Sequence, residues 1–279
     1  MSCEGCAKKD SCSSAGQGGC GEKTEIKKLE TAKGTKIKKI IGISSGKGGV
    51  GKSFVTSYLA KEMALKGYKV GILDGDILGP SIPRNFNMAE EHLIVSNEDG
   101  LMVPMETYEE IKIMSSNLLL PDETSPIIYR GVLLSGIIQQ FYSDTNWGEL
   151  DFLFVDMPPG TGDVPLTVFQ SIPVDGIIIV TSPQDLVSMV VSKAIKMAEM
   201  MDVPVLGIVE NYSYFKCPDC GKEHQIFGPS KADDVAKEFG LEVLAKLPID
   251  PKLAALCDRG MIEAFEGDWL DEAAAKLEK

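Results

Sequence analysis

The sequence predicts an α/β fold, a doubly wound and mainly parallel sheet carrying a short Cys-rich N-terminal tail. Three observations predict it. Short apolar runs alternate with helix-length segments from Ile40 onward, several of these runs are apolar throughout, and a glycine-rich turn separates the first run from the first helix. A continuously apolar run suits a strand covered on both faces. Repeated strand–helix alternation gives parallel order through right-handed crossovers.

Residues 1–38 show no packed-core pattern, the first twenty being rich in Cys, Gly and Ser and the next eighteen charged. They read as a metal-binding tail and a charged linker, ordered when the cysteines hold a metal. Residues 39–266 form the expected α/β domain. Strands are expected at Ile40–Ser44, Val70–Asp74, Phe152–Asp156, Gly176–Thr181, Val205–Val209 and Val243–Ala245. Helices are expected at Lys52–Lys66, Gly131–Tyr142, Val164–Ser171, Leu186–Met201, Lys231–Phe239 and Pro251–Arg259. The region Leu101–Ser115 adds short strands. Residues 267–279, ending "DWLDEAAAKLEK", read as a short, acidic, weakly amphipathic helix.

Composition narrows the function. The 279 residues leave room for one large α/β domain, and no second domain of comparable size stands out. Hydrophobic residues at 44% and charged residues at 25% are ordinary for a soluble globular chain. No run approaches the roughly 18 apolar residues of a membrane span, and the first twenty residues lack an apolar signal core. A cytoplasmic protein without membrane attachment is expected. The net charge of −13 disfavours nucleic acid as a partner. The exception, "KKLETAKGTKIKK", is mixed with acids and reads as a solvated linker. Seven cysteines without a secretion signal point to metal or redox chemistry rather than a disulfide framework.

"SSGKGGVGKS" satisfies the phosphate-loop pattern from Gly46 to Ser53, between an apolar strand and a helix. Gly46, Gly48, Gly49 and Gly51, with Lys47 and Val50 between them, let backbone N–H groups approach phosphate oxygens. The helix starting near Lys52 adds its positive end. Lys52 is expected on the β- and γ-phosphates of ATP, and the Ser53 hydroxyl on Mg²⁺. The loop also needs carboxylates at neighbouring strand ends. Asp156 in "FLFVDMPPGTGD" is the candidate for holding Mg²⁺. Asp74 and Asp76 in "VGILDGDILGP" end another strand, and Asp76, farther into the loop, is the candidate for positioning the attacking water.

Cys217 and Cys220, in "YFKCPDCGKEH", have the C-x-x-C spacing that converges two thiolates on one metal. They fit half a zinc site with His224 as a third ligand, or a redox dithiol. A symmetric dimer would instead supply four thiolates at its two-fold axis, suiting zinc or an iron–sulfur cluster. Cys257 falls in an expected helix and reads as packed.

"KGGVGKS", "DGDILGPS" and "DMPPGTGD" resemble the deviant Walker-A P-loop ATPases, the MinD/ParA/nitrogenase iron-protein group. That resemblance implies that Lys47 crosses a dimer interface to the partner's nucleotide, as an arginine finger does. With "GIVENYSYF", "CPDCG" and "IFG" added, residues 38–266 resemble the Mrp/ApbC-type iron–sulfur cluster carrier ATPases. This implies a homodimer that binds a 4Fe–4S cluster between paired C-x-x-C motifs and delivers it to apoproteins. It also implies adenine contacts from Asn211 and from the turn at Pro248–Asp250. Cys3, Cys6, Cys12 and Cys20 are similar to the tail cysteines of the family's cytosolic eukaryotic branch, although there the fourth cysteine precedes the other three. Four thiols within eighteen residues favour a metal site on the tail, and the resemblance implies a cluster there, from which the spacing departs. Two other readings remain: a MinD/ParA-like positioning ATPase, and an ATPase with a structural zinc at the C-x-x-C pair. Against the first, "DWLDEAAAKLEK" has four acids and two lysines, where a membrane-binding helix needs a basic polar face.

Overall fold

A computed structural model describes residues 28–77, 79–88, 90–92, 94–96, 100–119, 131–184 and 187–279. The chain runs β1 (Lys36–Ser45), α1 (Lys52–Leu65), β2 (Val70–Asp74), α2 (Ile82–Asn85), β3 (Ile94–Val95), β4 (Met102–Val103), β5 (Met105–Glu106) and β6 (Lys112–Met114). It continues through α3 (Gly131–Ser143), β7 (Glu149–Asp156), α4 (Asp163–Ser171), β8 (Gly176–Thr181), α5 (Val187–Met200) and β9 (Val205–Lys216). β10 (Glu223–His224), α6 (Ala232–Phe239), β11 (Val243–Pro248), α7 (Pro251–Asp258) and α8 (Asp271–Leu277) complete it.

Among the described residues nine strands form one sheet in the order β10-β9-β8-β1-β7-β2-β6-β5, with β11 also paired to β9. The pairs from β9 to β6, and β11 with β9, are parallel. β5 and β10 run antiparallel at the ends. Strands β1, β7 and β8 alternate their apolar residues between the two faces. Ile41, Ile43, Phe152, Phe154, Ile178 and Val180 join the core under α1, α7 and α8. Ile40, Leu153, Val155, Ile177 and Ile179 join the core under α3 to α6. Both faces are covered, which is why these strands read as unbroken apolar runs.

The register brings the site together. Ile43 of β1 stands beside Asp156 of β7, and Asp74 of β2 stands beside Asp156 on the other side. The phosphate loop and both acidic strand ends therefore share one edge, the carboxyl end of the parallel strands, where open α/β sheets bind ligands.

Three features differ from the sequence expectation. β1 begins at Lys36, so a boundary at residue 38 falls inside a strand. Its first turn of sequence, "KIKK", alternates exposed and half-buried side chains and so lacks the apolar continuity of the rest. Just before it, Leu29 packs against the second core and donates its N–H to Ser171 O at 2.8 Å. β9 runs to Lys216, seven residues beyond the expected end. At the C-terminus, Leu270, Ala273, Ala274 and Leu277 are buried in the first core, and Lys39 Nζ bonds to Leu277 O at 2.8 Å. The apolar face of α8 is spent on α1 and is not free for a membrane. Among the described residues no helix is long and apolar enough to cross one.

Candidate functional site

β1 delivers the chain to the phosphate loop and α1 takes it away. Gly49 (φ 79°) and Gly51 (φ 81°) hold left-handed backbone that other residues adopt at a cost. Space around a Cβ at Gly49 is open, whereas one at Gly51 would overlap Asn211 Nδ2 and come within 3.2 Å of Tyr212 Oη. Gly48 and Gly49 thus face the open side of the loop, and Gly51 is pressed against β9. Gly46 has a different duty: a Cβ there would come within 2.7 Å of Val190 O, so α5 packs directly over it. The buried Val50 anchors the turn. Beside the loop lies a cleft of about 320 Å³, bounded by Gly48 to Phe54, Asp76, Ser81 and Pro159. An open glycine backbone, an ammonium and a helix N-terminus fit the phosphates of a nucleotide.

Asp156 is fully buried at the end of β7 and receives three side chains. Lys52 Nζ lies 2.7 Å from Oδ2, Ser53 Oγ donates to Oδ2 at 2.6 Å, and Thr56 Oγ1 donates to Oδ1 at 2.7 Å. Asp74, also fully buried, accepts from Ser115 Oγ at 3.0 Å and from the Asp76 N–H at 3.2 Å. Burial and the Asp156 carboxylate push the Asp74 carboxyl up to about 8, against the opposing pull of Lys52 and Ser115. Burial also raises Asp76, again opposed by Lys52. Asp76 is the acid that lines the cleft. The donor set of Ser53, Asp156 and Asp76, a hydroxyl and carboxylates beside a phosphate cradle, suits a hard cation such as Mg²⁺.

Lys47 is hydrogen-bonded through its ammonium to Gln184 Oε1, in the segment after β8. Asn211 is buried on β9, its Nδ2 donating to Val50 O at 3.0 Å and its Oδ1 accepting the Tyr212 N–H at 2.9 Å. Pro248, at the end of β11, stands opposite Tyr214. Asp250 caps α7, its Oδ1 accepting the Lys252 N–H at 2.8 Å. Sequence reasoning missed Thr56, Ser115, Gln184 and Tyr212. Thr56 was within reach of it, because it lies one helical turn from Lys52. The others depend on which strands become neighbours.

Cys217 and Cys220 form a tight turn at the tip of β9. The Cys217 N–H bonds to Lys222 O and the Gly221 N–H to Cys217 O, both at 2.9 Å, and β10 returns antiparallel to Phe215 and Lys216. The backbone N–H groups of Cys220 and Asp219, then the Cys220 side chain, point at the Cys217 sulfur and hold its thiol below the usual range. His224 does not complete the site as a third ligand. It pairs across from Phe215 on exposed β10, and no group of three metal-ligating side chains gathers among the described residues. Cys257 packs against the first core in α7, and burial pushes its thiol up to about 11. Cys3, Cys6, Cys12 and Cys20 lie outside the described residues.

The family model for ParA-type NUBPL iron-transfer P-loop NTPases matches residues 36–278. The chain belongs to this family. Its match spans β1 to α8 and includes both the phosphate loop and the cysteine turn. The chain is 45% identical over 270 residues to an iron–sulfur cluster carrier protein of Clostridium perfringens, covering 95% of this chain and 94% of that protein. It is 49% identical over 228 residues to a protein of the same name from Methanocaldococcus jannaschii, covering 81% and 78% respectively. A solved nucleotide-binding protein of Archaeoglobus fulgidus, in complex with ADP, superposes with a TM-score of 0.75 at 45% identity, over 84% of this chain and 91% of that one. The cell division ATPase MinD of Pyrococcus furiosus shares the fold, with a TM-score of 0.63 at 19% identity over 86% of this chain and 98% of that one. The family model describes an iron-transfer P-loop NTPase, and the solved A. fulgidus relative is a nucleotide-binding protein.

Proposed function

We propose that the chain carries an iron–sulfur cluster of the 4Fe–4S type on Cys217 and Cys220, passes it to apoproteins, and uses ATP binding and hydrolysis to govern the exchange. The observation that carries this is the cysteine turn. It presents two thiols at an exposed tip, turns backbone N–H groups toward one sulfur, and gathers no third protein ligand among the described residues. Such a half-site is completed by a second copy in a homodimer, whose four thiolates suit a cluster. The names of the C. perfringens and M. jannaschii relatives support the same reading.

At the nucleotide site the positions of Lys52, Ser53 and Asp76 beside the cleft support their tasks, while the roles of Lys47, Asn211 and the Pro248–Asp250 turn rest on the family resemblance. Lys52 and Ser53 both lie on Asp156 and border the cleft beside the loop, where Lys52 pairs with the phosphates. The N–H groups of Gly48, Gly49 and Gly51 and the start of α1 orient the phosphates. Ser53 and Asp156 would hold Mg²⁺, which would supply charge neutralisation. Asp76 faces the cleft and orients the attacking water. Lys47, released from Gln184, supplies a cation to the partner's nucleotide. Asn211 and the Pro248–Asp250 turn border the adenine side.

The test is anaerobic reconstitution with iron and sulfide, followed by iron, sulfide and zinc analysis. With Cys3, Cys6, Cys12 and Cys20 replaced by Ala, so that a tail cluster adds no iron, about two iron and two sulfide per chain are expected, from one cluster shared by two chains, and their transfer to an apo-acceptor should follow. Cys217→Ala/Cys220→Ala should lose both. Zinc without iron at the pair, or iron uptake unchanged in the double variant, would overturn the proposal.

A further inference from the structure

The two sites are joined by one strand. β9 passes the phosphate loop at Asn211 and enters Cys217 six residues later, at most about 20 Å away. Directly after Asn211, Tyr212 adopts φ 59°, the left-handed region, although it is not glycine. A side chain in this region costs about 1–2 kcal/mol, and such strain collects where the surroundings hold it for a purpose. Here the holder is visible: Asn211 Oδ1 accepts the Tyr212 N–H, while Asn211 Nδ2 grips Val50 O of the phosphate loop.

The left-handed kink aims the Tyr212 ring in two useful directions. Its hydroxyl lies at the back of Gly51, within 3.2 Å of where a Cβ would stand. Its ring meets Phe227 edge-on, centroids 6.4 Å apart at 64°. Phe227 lies in the segment leaving β10, the return arm of the cysteine turn. It remains 43% exposed, and its neighbour Ile226 is 59% exposed. An aromatic residue left this open is held by few contacts, and the Tyr212 ring is one of them. The outgoing arm has a different tether, since the Ile249 N–H bonds to Tyr214 O at 2.6 Å and joins β9 to β11.

We infer that the Tyr212–Phe227 contact is the mechanical link through which occupation of the phosphate loop alters the Cys217/Cys220 turn within a single chain. The inference rests on these being the two working sites proposed above. Movement of Gly51 and Val50 as phosphate enters bears on Asn211 and Tyr212 together. Tyr212 then shifts against Phe227, moving the return arm relative to the tethered outgoing arm. That relative motion changes the separation and exposure of the two thiols. Because coupling between binding sites is reciprocal, a group held by the thiols alters nucleotide affinity by the same factor.

The experiment uses the metal-free full chain. Alkylation rates at Cys217 and Cys220 are read by peptide-resolved mass spectrometry with and without Mg²⁺ and the non-hydrolysable analogue AMPPNP. In the wild type the analogue should change these rates by about fivefold or more, the lower range of measured site-to-site coupling. Phe227→Ala should lose most of that change while binding AMPPNP with unaltered affinity and unfolding at a similar urea midpoint. Phe227→Leu, which keeps an apolar contact, should retain part of the change and covers the case where the alanine variant folds poorly. A wild type whose thiols ignore AMPPNP overturns the link. So does an undiminished response in folded Phe227→Ala, which would assign the effect to another route such as dimer closure. If the thiols respond through Phe227 but no iron is taken up on reconstitution, the link stands and the carrier reading falls.

Discussion

Gly51→Ala isolates the contact between the phosphate loop and β9, and its cost can be worked from two sources. A side chain at φ 81° costs about 1–2 kcal/mol. The new methyl also overlaps Asn211 Nδ2 and drives that amide off Val50 O, a net hydrogen bond worth about 1 kcal/mol, with up to about 3 kcal/mol if the buried carbonyl stays unpaired. A total of about 2–5 kcal/mol follows for the nucleotide-free protein. Asn211→Ala alone should cost about 1–3 kcal/mol through the same hydrogen bond. In the double variant the overlap has gone and the bond can be lost only once. The combined cost should then fall short of the sum by the shared hydrogen-bond contribution, about 1–3 kcal/mol. Urea unfolding of the four proteins, with a common m-value, reads this coupling directly. Strict additivity would refute the reasoning, because it would mean that the methyl does not act through Asn211.

Asp74→Asn should stabilise the nucleotide-free protein more at pH 8 than at pH 5. The folded carboxyl holds its proton up to about 8 while the unfolded one releases it near 3.8, so wild-type stability declines across that interval. Equal gains in unfolding midpoint at both pH values would count against this. Lys61→Ala should cost about 3–5 kcal/mol, since Lys61 Nζ holds Glu62 Oε1 at 2.9 Å and Phe265 O at 2.6 Å in the core. Lys61→Met/Glu62→Gln should recover much of that in the same unfolding assay, because no charge is then left buried alone. Iodoacetamide should modify Cys217 well before Cys257 as pH rises from 6 to 9, since N–H donors lower the first thiol and burial raises the second to about 11. Equal rates would contradict both environments.

The sequence reading of the fold succeeded where covalent order and burial leave a direct trace. The apolar runs ending in Asp74 and Asp156 announced strands, and the glycine spacing announced the loop between β1 and α1. What stayed hidden depended on lateral neighbours. Nothing in "SPQ" shows that Gln184 reaches Lys47, because that contact arises from β8 lying next to β1. Ser115 bonds to Asp74 only because β6 pairs with β2. The apolar run of β9 stops at Val209, where Glu210, Asn211 and Ser213 interrupt it. Yet these polar residues are buried, with Glu210 accepting from Ser213 at 2.6 Å and Asn211 bonded to the loop. A polar stretch that finds its partners inside the fold looks, in one dimension, like a loop.

The central position of β1 has a consequence for how the protein comes into being. Its neighbours in the sheet are β7 and β8, and its pairing with β7 joins residues about 110 positions apart. At a synthesis rate of about 5–20 residues per second, the strand waits roughly 5–20 s after emerging before its first partner is available. Through that interval, Ile40, Ile41 and Ile43 have no sheet to enter. Asp156 arrives at the end of that same partner strand, so the Lys52–Asp156 pair cannot form any earlier. Nucleotide is therefore a ligand of the completed sheet. It can rescue a finished molecule from unfolding by mass action, but it cannot guide the nascent chain through the stretch in which its first strand stands alone.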